Sequence, residues 1–191
     1  MSHTDHTDSA PTSSRLQELV DRQDIWDCIC RCARGMDRHD PELIATAYHP
    51  DGYDDHGTFR GTASDFIEWC NGSPTDAGVH FNYTVHQHLV LNHVVDLRGD
   101  EAHCETHYLF FGELRAVPAI QAAGGRYIDY MTRENGRWAI KRRRVVMEWT
   151  VPLPSPTDMS SDHLQWFTRG TWDRTDVSYQ RPVEVRPPHV V

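Results

Sequence analysis

The strongest constraint on this chain is the order of its hydrophobic periods: a helical period comes first, and a long succession of strand periods follows. Leu16, Leu19, Val20, Ile25, Trp26, Ile29, Cys32, Ala33 and Met36 recur at three- and four-residue steps, the pattern of one long amphipathic helix. Ser13 or Ser14 is its cap, and Gly35 with Asp40-Pro41 marks its end. Pro41-Glu42 opens a short second helix through Ala47, which His49-Pro50-Asp51-Gly52 breaks. Residues 53–61 read as a strand, a turn and a strand, residues 64–70 as a third helix, and residues 71–78 as a loop. Four strands are then expected over 80–96, 101–113, 125–134 and 137–151. Their turns are Arg98-Gly99-Asp100, Ala122-Ala123-Gly124 and Asn135-Gly136, the last a strong two-residue hairpin signal. Helices first and an antiparallel sheet second predict an α+β domain with helices over one face of the sheet.

At 191 residues the chain has room for about one domain. Residues 1–13 are polar and read as a disordered lead-in; residues 14–151 form the domain; residues 152–191 are an extension. Pro152, Pro154 and Pro156 argue against a central strand, and Ser160–Asp173, with Leu164, Trp166, Phe167 and Trp172, suggests a short helix or an ordered wrap. So aromatic a segment is expected to pack on the domain or on a neighbouring subunit. A net charge of -9 has the wrong sign for binding a phosphate backbone, which excludes nucleic acid as a main partner. No run approaches the roughly 20 apolar residues of a membrane span. The first residues lack the basic head and apolar core of an export signal, so a cytoplasmic protein with reduced cysteines is expected.

Searches for a nucleophile elbow, a phosphate-binding loop, a dinucleotide fingerprint or paired C-x-x-C motifs find none. Titratable groups near element ends remain: Asp37, Asp54, Asp55, His56, His86, His88 and Arg143. Two histidines at i, i+2 on a strand share a face, so His86 and His88 could begin a metal site. Only His103, Glu105 or His107 offers to complete it, and no metal is expected. His88 beside Asp37 would make a proton-abstracting pair, the carboxylate orienting the imidazole. From the residues alone that pairing is one arrangement among several.

Four segments carry a family resemblance: Cys32-Ala-Arg-Gly-Met-Asp37-Arg-His-Asp40, Tyr48-His-Pro-Asp-Gly-Tyr-Asp-Asp-His-Gly57, His88-Leu-Val-Leu-Asn92 followed by Gly99-Asp-Glu-Ala102, and Gly136-Arg-Trp-Ala-Ile-Lys-Arg-Arg143. Together they resemble the SnoaL-like branch of the NTF2-like superfamily, over about Arg15 to Trp149. The resemblance implies a cone, a strongly curved mixed sheet wrapped around N-terminal helices with a deep apolar pocket. Within that branch the chain looks most like the dehydratases acting on scytalone and bile acids and the hexachlorocyclohexane dehydrochlorinases. That likeness implies Asp37 and His88 as a catalytic dyad. Cys32 stands where those enzymes carry Tyr or Lys, a departure from their pattern.

By the same resemblance Asp55 and His56 are auxiliary or substrate-binding candidates, although Asp54, Asp55 and His56 also suit a simple turn cap. His107 and Glu113 lie near an expected second pocket group, and one of Arg142, Arg143 and Arg144, with Arg143 the match, faces the pocket. The implied activity is that of a cofactor-independent lyase on a small aromatic or alicyclic compound, by elimination or by retro-aldol-like C–C cleavage releasing formaldehyde from aryl propanediols. An isomerase of the ketosteroid-isomerase type and a non-catalytic ligand-binding module are the alternatives. A homotrimer or homodimer is implied.

Overall fold

The computed structural model describes residues 12–72, 78–154 and 167–185. Helices α1 (Thr12–Asp37) and α2 (Pro41–Ala45) lead into strands β1 (Tyr48–Asp55) and β2 (Arg60–Thr62), helix α3 (Ala63–Asn71) and a 3-10 turn at Val79–Asn82. Strands β3 (Tyr83–Arg98), β4 (Glu101–Leu114), β5 (Ile120–Glu134) and β6 (Arg137–Leu153) follow, and a second 3-10 turn lies at Val177–Tyr179. The six strands form one mixed sheet in the order β2-β1-β6-β5-β4-β3. Among the described residues only the β1–β6 pair is parallel.

The expected cone is corrected here. The α+β class and the N-terminal helices are present, but the sheet is open and not strongly curved: its strand order is linear, and the end strands β2 and β3 do not pair with each other. Free edges invite association with other chains unless something blunts them. Here one edge strand has only three residues, and the other is tied to α1. Arg22 Nη1 donates to the Val95 carbonyl at 3.0 Å, and the His88 backbone N–H donates to Asp37 at 3.0 Å.

The inward stripe of α1 is Ile25, Cys28, Ile29, Cys32, Ala33 and Met36, spaced at the helical period and buried with Ile44, Tyr48, Phe66, Met131, Trp138 and Ile140. Leu16, Leu19 and Val20 share the period yet remain exposed on the first turns of the helix. Where polar groups enter this core they are paired: Trp138 Nε1–H and Arg133 Nη1 both donate to Asp21, at 2.9 and 2.6 Å. All five cysteines are free thiols. Helix α3 begins on a capping box, with Thr62 and Asp65 satisfying each other's backbone N–H groups.

Several boundaries differ from expectation for identifiable reasons. The His49–Gly52 segment does not interrupt the chain; it lies inside β1, where the register against β6 shifts between Tyr48 and Tyr53 and so accommodates Pro50 as an irregularity. Gly124 is not a turn glycine either. β5 runs straight through Ala122–Gly124, and the β4–β5 connection is residues 115–119, closed by Leu114 N–H donating to Ala119 O at 2.9 Å. Gly124 and Gly125 instead mark a bulge against β6: the Trp149 ring lies over Gly124, and a Cβ on Gly125 would run into the Val146 carbonyl. Pro152 is within β6, opposite Gln121. The last β1–β6 pair is Asp55 with Arg144, so β6 beyond it is a local edge, where proline costs no ladder bond. At Asn135-Gly136 both residues have positive φ, 54° and 78°, the conformation of a tight hairpin turn.

Of the Ser160–Asp173 segment, residues 160–166 lie outside the described residues, and 167–173 are irregular rather than helical. Residues 171–179 lie over the α1–α2 junction. Trp172 stacks on His39 at 4.0 Å, Arg38 pairs with Asp176 at 3.2 Å, and Tyr179 Oη–H donates to Asp40 at 2.8 Å.

Gly125→Ala is expected to lower the free energy of unfolding by about 1–3 kcal/mol, the usual range for overpacking, measured by urea denaturation. A second expectation concerns Asp176. Burial alone would raise its carboxyl, but hydrogen bonds from Ser178 and the Thr171 backbone, with the charge of Arg38, bring it down to about 2. A depressed folded-state value stabilises the segment above the unfolded carboxylate value of about 4 and loses that contribution as pH falls through the folded one. Trp172 fluorescence followed during acidification should therefore report release of this segment between pH ~4 and pH ~2, and Asp176→Asn should already weaken its attachment at neutral pH.

Candidate active site

Between the sheet and α3 lies a cavity of about 410 Å³ with mainly apolar walls, a size suited to a small organic ligand. Trp69, Tyr108, Phe110 and Tyr127 line it, and three histidines, His56, His80 and His88, contribute imidazoles.

Asp37 is the last residue of α1 and His88 the sixth of β3. The structure brings them together: His88 Nδ1 lies 2.6 Å from Asp37 Oδ1, and the His88 backbone N–H reaches both carboxylate oxygens. Burial by itself would raise the Asp37 carboxyl. The charge His88 carries when protonated, its ring and backbone hydrogen bonds and the nearby His86 ring outweigh it and hold the group well below the usual carboxylate range. An ionised Asp37 that accepts Nδ1–H leaves Nε2 as the acceptor nitrogen of the His88 ring.

A second histidine–carboxylate pair faces the same cavity. His56 Nδ1 lies 3.0 Å from Oδ1 of Asp54, whose other oxygen accepts the Tyr48 hydroxyl at 2.6 Å. Asp54 is fully buried. Burial and the neighbouring Asp54 charge push the Tyr48 hydroxyl well above its ordinary value, so it remains a donor. The expectation for Asp55 is thereby corrected: it alternates to the other side of β1 and pairs with Arg60 and Arg144, at 3.2 and 3.3 Å.

Of the three consecutive arginines, Arg143 points inward, and Arg142 and Arg144 are exposed. The Arg143 guanidinium is fully buried in a two-pronged pair with Asp129, both distances being 2.7 Å. It lies 4.2 Å from the centre of the Tyr127 ring and donates to Cys32 Sγ at 3.6 Å. Cys32 is itself buried, and burial, opposed by Arg143, pushes its thiol up to about 11. Arg143 and Cys32 therefore support the cavity wall from behind Tyr127 instead of lining the cavity themselves. His107 and Glu113 do not reach it: His107 is half-buried beside Glu105, and Glu113 accepts from Thr84.

Asp129, Tyr127, His39 and His80 were not singled out from sequence, and Asp54 was read there as a titratable group or turn cap without its pairing to His56. Asp129 shares a strand face with Tyr127 and Met131, both buried, and a carboxylate on an otherwise apolar face is the signal that it has a buried cationic partner. Asp54 follows from strand alternation, once Tyr48 is known to be buried and the bulge is placed. His39 and His80 belong to a turn and to a single 3-10 turn, where no sequence period applies.

The mixed sheet and N-terminal helices thus enclose a pocket flanked by two histidine–carboxylate pairs. The sequence profile of the SnoaL-like domain matches residues 17–144, and the chain belongs to that family. No curated protein is similar enough in sequence to be matched. Among solved structures, hexachlorocyclohexane dehydrochlorinase LinA-type3 from Novosphingobium barchaimii superposes with a TM-score of 0.65 at 18% identity, over 73% of this chain and 94% of that one. A protein from Novosphingobium aromaticivorans assigned as a scytalone dehydratase gives 0.61 at 20% identity, over 73% and 95%. The Kfla4162 protein from Kribbella flavida gives 0.62 at 17%, over 70% and 95%. At these identities the likeness is one of fold.

Breaking the Arg143–Asp129 pair from either side leaves a buried charge without its partner, so Arg143→Met and Asp129→Asn should each cost about 3–5 kcal/mol. The double variant Arg143→Met/Asp129→Leu should recover most of that loss in denaturant melts, because replacing a whole buried pair with apolar groups is often close to neutral.

Proposed function

We propose that the chain is a lyase acting on a small, largely apolar ring compound, aromatic or alicyclic. The observation that carries this reading is the presence of two histidine–carboxylate pairs, His88–Asp37 and His56–Asp54, on one apolar-walled cavity. A merely structural pocket gains nothing from holding desolvated acids and bases at its surface.

In the elimination, His88 Nε2 takes a proton from a ring carbon, and Asp37 holds the imidazole and balances the charge that forms on it. The C–H electrons become the new double bond, and the leaving group departs from the adjacent carbon with its bonding pair. A leaving hydroxyl takes a proton from His56, which Asp54 orients, and departs as water; a halide departs as the anion. Arg143 and Cys32 act as positioning residues through Tyr127. The neighbours of like fold, a dehydrochlorinase and a protein assigned as a dehydratase, support an elimination over isomerisation by the same pair.

A screen of hydroxylated and halogenated ring compounds tests the assignment. His88→Ala is expected to lower kcat by about two to four powers of ten, the usual contribution of a positioned base, with the fold intact by circular dichroism. His56→Ala should slow loss of hydroxyl much more than loss of halide. Turnover that survives His88→Ala, or ligands that bind without reacting, would sink the lyase reading and leave a binding module.

A further inference from the structure

A third group of histidines plays no part in this chemistry. His39 follows α1, His80 lies in the 3-10 turn before β3, and His86 lies on β3; one ring nitrogen from each can be chosen so that all three lie within 4.8 Å of one another. His39 Nε2 and His86 Nε2 are 3.1 Å apart, and the His80 and His86 ring centres are 4.4 Å apart. His80 and His86 are almost fully buried, at 6% and 1% exposure. Nevertheless Nδ1 of His80 has no hydrogen-bond partner among the described residues, an unusual condition for a buried polar atom.

The surroundings favour holding these rings in place. His39 has φ of 49°, a left-handed conformation uncommon outside glycine and found where the fold over-determines it. Its ring is clamped by the stacked indole of Trp172. His86 Nδ1 lies 3.4 Å from Asp37 Oδ1, close but without the alignment of a formed hydrogen bond. A carboxylate on one nitrogen of an imidazole, with the other nitrogen free to coordinate, is the usual support for a metal-ligating histidine.

We infer that His39, His80 and His86 form a binding site for one divalent transition-metal ion of the zinc, cobalt or nickel type. With metal–nitrogen bonds of about 2.0–2.1 Å, tetrahedral ligation places nitrogens about 3.3 Å apart, close to the existing His39–His86 separation. The remaining nitrogens close on the ion by rotation of their rings. An all-imidazole set selects these metals over magnesium or calcium, which prefer oxygen. Coordination replaces the proton shared by His39 and His86, with the His39 proton passing to Nδ1. Three protein ligands leave one position for water.

The test uses the full chain without an affinity tag, freed of metal by chelator dialysis and titrated with Co²⁺. The expected result is saturation at one ion per chain, visible absorption bands that Zn²⁺ abolishes by displacement, and quenching of tryptophan fluorescence. Trp172→Phe should keep the absorption and lose most of the quenching. His39→Asn, which tolerates the left-handed backbone, and His80→Gln should each remove the stoichiometric binding, while His3→Ala/His6→Ala should retain it. Absence of Co²⁺ bands at equimolar metal, binding that survives His39→Asn and His80→Gln, or binding lost with His3 and His6 would overturn the site. Should the ligand variants fail to fold, quenching in the native chain that persists in Trp172→Phe would overturn it equally.

Discussion

The attachment of α1 along the free edge of β3 is the constraint from which the rest of this structure follows. Two ties hold it, Arg22 to the Val95 carbonyl and Asp37 to the His88 backbone N–H. The residues between the ties span about 22 Å along the helix at its rise per residue and about 23 Å along the strand. Helix and strand thus run antiparallel in matched lengths, and groups that an edge strand would leave unpaired are satisfied by side chains of the helix. A sheet with one edge so covered and the other only three residues long has little need to close on itself. The same contact delivers Asp37 to His88, so edge protection and the candidate catalytic pair are one interaction.

Behind the apolar cavity wall the polar groups are arranged around three carboxylates. Asp37 takes the His88 ring and backbone, Asp54 takes His56 and Tyr48, and Asp129 takes Arg143. Each sits where an unpaired charge would be costly, and each has charged or hydrogen-bonding partners that offset the desolvation. Stacking continues the pattern: Arg143 lies over Tyr127, and Tyr127 stacks on Tyr108 at 4.5 Å with their planes 12° apart. The cavity is therefore apolar at its surface and anchored by ion pairs one layer deeper. This arrangement holds the imidazoles in fixed orientations beside an apolar surface.

The chain after the sheet belongs to the same construction. Its ties converge on Arg34, Arg38, His39 and Asp40, the short stretch that turns α1 into α2. That turn also carries the left-handed His39 and starts one residue beyond Asp37. Histidine His86 lies between the two groups, near Asp37 on one side and His39 on the other.

Local physics was enough to read much of this from the chain. The helical stripe from Ile25 to Met36, the succession of strands and the Asn135-Gly136 hairpin all follow from period and turn chemistry, which act over a few residues. Asp37 and His88, 51 positions apart, entered through family resemblance, because no period links residues at that separation. Tertiary structure alone decided the rest. It opened the sheet by laying α1 on an edge, chose Asp54 over Asp55 through a bulge in β1, turned Gly124 and Gly125 into a packing device beneath β6, and gathered His39, His80 and His86 from three elements. The physical reason is common to all four: sequence patterns record which side of its own helix or strand a residue occupies, whereas which neighbour it meets depends on how separate elements pack and on single-residue shifts in register.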